Sequence, residues 1–560
     1  MKFTSDYWHN LDEDRIGVDL RRIAFTAHPA KDQLQETKAK IFQGASKIEL
    51  AFMGEGKPSL QRGATTPGLY GKEQREALKQ IAKVNDVELT THATLAVQGL
   101  AGATREGHFS ENARQNAVSE IKQAIEFNAD VGGGAVVVHT GEFSRPTERG
   151  KEFVSFGEGI PQTLVDKRTG HTVMQYNKDT EIEIPLFEVD KKTGELEMNK
   201  KSLRPSQLDI NQAAYEIKRY IKEQVDMERG RSLEYQRAAK KINEITNVYE
   251  KTKNNDEKIN ILKQSLGPNA LESLYNKAGR DAHKTFELGK EELEAQKNEY
   301  IHLSKGFHQS VLKNEALSDN IATQEEFAVK KSAQSLAEAG LYAMEQTRQK
   351  KVERPIFVSP ENIFVEQYGG HPQELKKLVL DSRQQMKDML IKKGRSESEA
   401  QRLAEQHIKA TFDIGHANTW KKYFKGDDKE FQKWLIDQTR DLLKNNVIGH
   451  VHITDNMGYA DDHLPPGEGT VPIREFAKAL KEGGYKGTIV SEGGDWEHQN
   501  LLGAWRSLNS PIYRTQTWGD IEDSYLGRTH SPSYLVGPTA PSEEFRGMDG
   551  KPMWSGVGLE

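Results

Sequence analysis

Eight short apolar runs, alternating with helical patterns along the chain, restrict this sequence to very few architectures. They are Leu20 to Thr26 (LRRIAFT), Lys47 to Phe52 (KIELAF), Asp86 to Thr91 (DVELTT), Ala135 to Val138 (AVVV), Ile363 to Gln367 (IFVEQ), Ala410 to Asp413 (ATFD), Val447 to Thr454 (VIGHVHIT) and Thr488 to Ser491 (TIVS). Between them lie helical patterns at Glu73 to Val84, Glu111 to Asp130, Lys331 to Gln349, His371 to Lys409 with a break at Gly394, Glu430 to Lys444 and Ile473 to Glu482. In Glu111 to Asp130 the apolar residues Ala117, Ile121, Ala124 and Ile125 recur at helical spacing. Apolar runs that alternate with helices mark a parallel sheet buried on both faces. Eight of them make the count of a closed (β/α)8 barrel.

The rhythm is broken once, for about 190 residues after the fourth strand, far beyond an ordinary loop. Two Lys-x-Thr-Gly turns, in DKRTGHTV and DKKTGELEM, predict β-hairpins between Thr163 and Met198. From Pro205 to about Gln324 the chain is rich in Lys and Glu and helical in pattern, interrupted at Gly267-Pro268-Asn269. A helical hairpin or small coiled bundle is expected there, with a dimerisation or substrate-covering arm as its sharper reading. The low mean hydropathy of −0.75 fits a globular core carrying such a polar segment. The expected fold is therefore α/β, a (β/α)8 TIM barrel with a large, mostly helical insertion after strand 4 and an irregular C-terminal extension. The expected divisions are residues 1–145 and 326–500 for the barrel, 146–325 for the insertion and 501–560 for the extension, which should wrap over the barrel or another subunit.

The polar residues cluster at strand ends, where barrels of this kind keep their chemistry. The densest stretch is HVHITDNMGYADDHLPPGEG, from His450 to Gly469. His450 and His452 alternate with Val451 and Ile453, which puts both imidazoles on one strand face. Elsewhere His92, His139, Glu366, Asp413 with His416, Asp461 with His463, and Glu492 stand at the ends of the third through eighth strands. Imidazoles and carboxylates packed this closely repel and desolvate one another unless cations satisfy them. The chain has no cysteine, so any ion must be held by His, Asp and Glu. The net charge of −6 gives no overall attraction to nucleic acid, and no basic loop with interleaved aromatics is evident. MKFTSDYWHNLDEDR lacks an apolar leader core and no apolar run reaches membrane length, so a cytoplasmic protein without a membrane partner is expected.

The pieces THATL, VVHTGE, FVEQ, FDIGHAN, HVHITDN, DDHLPPGEG and VSEGG together resemble the xylose-isomerase-like TIM barrels of AP endonuclease family 2, and in their ligand set the endonuclease IV family. The resemblance covers about Leu20 to Pro146 and Lys331 to Asp495. It implies three zinc positions: one held by His92, His139 and Glu366, a second by Glu366, Asp413, His452 and Glu492, and a third by His416, Asp461 and His463. It further implies that Glu366 bridges two ions holding a hydroxide, that Glu492 assists as proton acceptor, and that the reaction is phosphodiester cleavage in DNA at abasic sites. The aromatic that wedges DNA in that family is missing, since Ala93, Thr94 and Leu95 follow His92. The alternative from the same superfamily is a sugar or sugar-phosphate isomerase or epimerase, using one manganese or magnesium ion on Glu366, Asp413, His452 and Glu492. Self-association through the helical insertion is a further expectation.

Overall fold

The computed structural model describes residues 22–54, 65–97, 99–104, 107–145, 152–154, 160–176, 182–189, 196–203 and 210–492. The expected C-terminal extension, 501–560, lies outside them, as does the turn of the second Lys-x-Thr-Gly hairpin. The chain divides into two compact units, Met1–Ile160 with Glu325–Glu560, and Pro161–Gln324. No helix among the described residues is long and apolar enough to cross a membrane.

The first unit opens with β1 (Ile23–Thr26), α1 (Gln33–Phe42), β2 (Lys47–Phe52), α2 (Lys72–Val84), β3 (Glu88–Thr94), α3 (Glu111–Val131) and β4 (Gly133–His139). Within the second unit, β5 (Gln162–Asp166) and β6 (Thr172–Tyr176) form an antiparallel hairpin, as do β7 (Ile182–Val189) and β8 (Leu196–Leu203). Then come α4 (Ile210–Lys251), α5 (Asn255–Leu266), α6 (Pro268–Lys277), α7 (Ala282–Asn320) and the short β9 (Ile321–Thr323), which pairs with β5. The first unit resumes with α8 (Gln324–Gln349), β10 (Arg354–Glu361), α9 (Pro372–Lys392), α10 (Glu397–His407), β11 (Ala410–Asp413), α11 (Ile414–Asn418), α12 (Asp428–Lys444), β12 (Ile448–Ile453), α13 (Ile473–Glu482) and β13 (Ile489–Ser491).

Eight strands close into a barrel in the order β1-β13-β12-β11-β10-β4-β3-β2, every pair parallel. The fold expected from the sequence is thus the fold found. The fifth barrel strand, however, is Arg354–Glu361 and not Ile363–Gln367. Ile363 and Val365 are buried in the loop that follows the strand, so the apolarity of IFVEQ reports burial and not extended pairing. Ile414-Gly415-His416, directly after the strand Ala410–Asp413, is helical, because Asp413 caps α11 by accepting the His416 N–H at 2.9 Å.

The arm is an antiparallel pairing of α4 with α7 made within the chain. Ser232 and Ser304 hydrogen-bond each other's carbonyl at 3.0 Å, and Tyr235 stacks on Phe307 with centroids 5.8 Å apart. Gly267 ends α5 at a φ of +86°, and Pro268 opens α6 with its fixed φ, which is the break the sequence showed. The segment Glu152–Val154 belongs with the barrel unit: Phe153 is buried against Trp420, Trp434 and Phe424, with centroids 5.1, 5.1 and 5.5 Å away.

Candidate metal centre

Parallel pairing sets the height of each strand around the barrel, and it brings the polar residues to one mouth. His139 of β4 is level with Glu361 of β10, and Asp413 of β11 with His452 of β12. Glu361 is the last residue of its strand and fully buried. Its Oε2 lies 3.3 Å from His92 Nε2 and 3.7 Å from His139 Nε2, and its Oε1 lies 2.9 Å from His452 Nδ1. Glu492, just past β13, reaches the same His452 nitrogen at 3.1 Å. Beside them, Asp461 Oδ2 stands 3.1 Å from His416 Nε2 and 3.0 Å from His463 Nε2.

Three donor groups gather at this mouth: His92, His139 and Glu361; Glu361, Asp413, His452 and Glu492; and His416, Asp461 and His463; a fourth, Glu49, His450 and His452, shares His452 with the second. His92, His139, Asp413, His416, His452, Asp461, His463 and Glu492 therefore come together as the sequence suggested. Glu366 does not. It sits in the loop after β10, where its carboxylate accepts hydrogen bonds from Lys422 Nζ at 2.8 Å and Tyr423 Oη at 3.1 Å. Burial pushes its carboxyl up, but Lys422 outweighs this and holds it below the ordinary range. The position expected for Glu366, shared between two groups, is taken by Glu361.

A second residue went unnoticed in the sequence. Glu49 of β2 is wholly buried, with Oε2 2.8 Å from His450 Nε2 and Oε1 3.0 Å from His452 Nε2. His450 is thus tied to Glu49, away from the three groups of the mouth. The signal for Glu49 was there: a lone carboxylate inside the apolar run KIELAF has to find a buried partner. For Glu361 the signal was the sequence RPIFVSPE, obscured by Pro360 within the strand.

Local structure prepares each donor. Asp413 Oδ1 accepts the His416 N–H and, at 3.3 Å, the Thr454 hydroxyl. Asn362 clamps β11 from the other side, accepting the Asp413 N–H at 3.0 Å and donating to its carbonyl at 2.9 Å. Gly415 lets α11 approach β12 closely: a Cβ there would lie 1.8 Å from Thr454 Oγ1. The loop carrying Asp461 and His463 is folded around Asp455, whose carboxylate accepts the N–H groups of Asn456, Gly467 and Val471 at 2.9, 2.8 and 3.0 Å. His463 itself has a φ of +47°, a left-handed conformation that costs a side-chain-bearing residue energy and that concentrates at functional sites.

The electrostatics call for cations. Burial disfavours charge on Glu361, yet His452 and then His92 overcome it and hold this carboxyl well below the usual range. Burial also opposes charge on His452 and His416, but Glu361 and Asp413 respectively lead in raising both imidazoles well above theirs. His463, despite its burial, is raised to about 9 by Asp461, whereas burial and then the neighbouring His92 depress His139 to about 3. These shifts show that the carboxylates draw positive charge toward the cluster. With the imidazoles neutral, as metal ligands must be, the carboxylates gathered at the mouth would lose their cationic partners, a deficit that divalent ions would make good. The donors also have room for them: among the described residues, Glu361 Oε2, Asp413 Oδ2, Asp461 Oδ1 and His139 Nδ1 are buried and find no hydrogen-bond partner. A set of imidazoles and carboxylates without thiolates suits zinc, manganese or magnesium.

Comparison with known proteins bears on the second half of the barrel. Residues 386–506 match the family model described as xylose isomerase-like TIM barrel. An uncharacterized protein of Methanocaldococcus jannaschii is 43% identical over 89 residues, which is 16% of this chain and about a quarter (26%) of that relative's length. Among solved structures, endonuclease IV from Thermus thermophilus aligns over 87% of this chain and 98% of its own at 10% identity and a TM-score of 0.37. A 3-keto-D-glucoside 4-epimerase from E. coli aligns over 87% and 99% at 11% identity and 0.37. A D-tagatose 3-epimerase-like protein aligns over 90% and 99% at 15% identity and 0.37. The matched segment contains Asp413, His416, His452, Asp461, His463 and Glu492, so most of the donors lie in the part of the chain that is similar to the xylose isomerase-like TIM barrel family.

Proposed function

We propose that this chain is a metal-dependent phosphodiesterase resembling endonuclease IV, cleaving DNA at abasic sites. One observation carries the reading. Glu361 belongs to two donor groups at once, and His416 Nδ1, 3.7 Å from Glu361 Oε1, brings the third group alongside. A single-ion enzyme has no need of His92, His139, Asp461 and His463. In this reading Glu361, Asp413, His452 and Glu492 would hold one ion, His92 and His139 with Glu361 a second, and His416, Asp461 and His463 a third. Divalent ions supply Lewis acidity, activating water and neutralising charge on a transferring phosphoryl group.

The chain's own residues do the positioning. Glu361 would fix the spacing of the first two positions, since from the end of a barrel strand its Oε2 faces His92 and its Oε1 faces His452. Glu492 is the most open member of its group, at 14% exposure, and burial raises its carboxyl, with His452 opposing. It is placed to accept a proton from the attacking water. The direct test is nicking of an abasic-site duplex by protein fully loaded with zinc; intact duplex at full loading rejects the assignment.

The second reading, a sugar or sugar-phosphate isomerase or epimerase, is favoured by the completeness of the Glu361, Asp413, His452 and Glu492 group on its own. It predicts one manganese or magnesium ion per chain. Elemental analysis after loading separates the two, since about three zinc ions per chain belong only to the first.

A further inference from the structure

An imidazole that turns one nitrogen toward the carboxylates is oriented when its other nitrogen is also held, because neutral imidazole has one donor and one acceptor. His92 and His416 use the backbone: His92 Nδ1 lies 2.9 Å from the Ala93 carbonyl oxygen, and His416 Nδ1 lies 2.8 Å from that of Asn362. Each then presents Nε2 to the cluster. His452 is built the other way round. Its Nδ1 faces Glu361 and Glu492 at 2.9 and 3.1 Å, while its Nε2 makes no backbone hydrogen bond and faces Glu49 Oε1 at 3.0 Å.

Glu49 has crossed the barrel to get there. Its strand, β2, is separated from β12 by β1 and β13 in the barrel order. The carboxylate is completely buried, and its other oxygen meets His450 Nε2 at 2.8 Å and the Thr90 hydroxyl at 3.3 Å. A buried carboxylate is expensive, and this one could have been replaced by an apolar side chain in the run KIELAF unless it does something. The two atoms are 3.0 Å apart without forming a hydrogen bond in this structure, and neither His452 Nε2 nor Glu49 Oε1 has any hydrogen-bond partner among the described residues, so each is the nearest polar group available to satisfy the other.

Resting on the metal-centre reading above, we propose that Glu49 is a positioning residue for the ion site at His452. It accepts the Nε2–H of His452 and so leaves the Nδ1 lone pair facing Glu361, Asp413 and Glu492. His450 and Thr90 hold Glu49 in turn, forming a buried relay of histidine, glutamate and histidine beneath the mouth. The carboxylate fixes the tautomer and ring orientation and makes the ligating nitrogen a better donor. His450, which is no ligand in this arrangement, thereby gains a role one step behind the ion.

Two measurements on the full chain test this. In zinc-loaded wild-type protein with 15N-labelled imidazoles, His452 should show a protonated Nε2 and an ion-bound Nδ1. Glu49→Gln preserves volume and should weaken one zinc site by about 10- to 100-fold, with the site of His416, Asp461 and His463 unaffected. Ligation of zinc through His452 Nε2, or unchanged zinc affinity in folded Glu49→Gln protein, overturns the role of Glu49 and leaves the metal centre standing. Wild-type protein that takes up no zinc overturns the metal centre itself. Should the variant fail to fold, the wild-type spectrum still decides the tautomer.

Discussion

Replacing Glu361 and Glu366 separately, each by Gln, distinguishes the structural assignment from the one drawn on the motif FVEQ. Glu361 is 1% exposed and faces His92, His139 and His452 at 3.3, 3.7 and 2.9 Å. Removing one partner from buried charges costs about 3–5 kcal/mol, because the others stay buried without compensation. Glu361 also belongs to two donor groups, so Gln in its place withdraws an anionic ligand from two ions together. Losing several kcal/mol of charge stabilisation in the transition state, at 1.36 kcal/mol per tenfold, means a rate loss of roughly 10³-fold or more. Glu366 is 38% exposed and tied to Lys422, a surface pair worth about 0–1 kcal/mol. Glu366→Gln should therefore keep its metals and most of its activity. Metal content by elemental analysis, stability by denaturant unfolding and turnover of an abasic duplex read the difference. A Glu361→Gln protein with the wild-type metal content and rate, or a Glu366→Gln protein stripped of metal, refutes the assignment.

Other expectations follow from local geometry. Gly415→Ala places a methyl group against Thr454 Oγ1 and should destabilise the barrel by about 1–3 kcal/mol while lowering metal affinity, seen by unfolding and by zinc titration. Asp455→Asn weakens the acceptor for the N–H groups of Asn456, Gly467 and Val471; at about 1–3 kcal/mol, the loop should become open to proteolytic nicking between 455 and 471 while the rest of the barrel resists. Glu142 is buried, accepting the N–H groups of Leu100 and Ala101 at 2.7 and 3.0 Å and the Ser332 hydroxyl, and burial pushes its carboxyl up to about 7. A folded value above the unfolded one means the proton stabilises the fold: its contribution is full below about 4.5 and is lost as pH rises to about 7, by about 3 kcal/mol. Glu142→Gln should remove that pH dependence from the unfolding midpoint between about pH 4.5 and pH 7, and an unchanged slope would show that Glu142 ionises freely.

How much of this centre was legible in the sequence depends on what each residue does for the backbone. Asp413, His452 and Glu492 stand within or just after short apolar runs that are strands, so reading the strand was enough to place them. Asp461 and His463 were legible as a pair, but not their support, since the acceptor for the loop's N–H groups is Asp455, eight residues upstream of His463. Glu361 and Glu366 show where local reading gives out. Ile363 and Val365 are as buried as strand residues, and only pairing with β4 shows that the strand has already ended at Glu361. Burial sets apolarity, whereas register is set by neighbours far away in sequence. The same non-locality hid Glu49, whose partners His450 and His452 lie about 400 residues further along the chain. What a ligand set needs from sequence is the type of donor, and that was visible. What it needs from the fold is the level of each strand, and a difference of five residues separates Glu366, paired with Lys422 in the following loop, from Glu361, which two donor groups share. Glu361 and Glu49, the two carboxylates local reading missed, face opposite nitrogens of His452, so its orientation is set from both sides of the barrel interior.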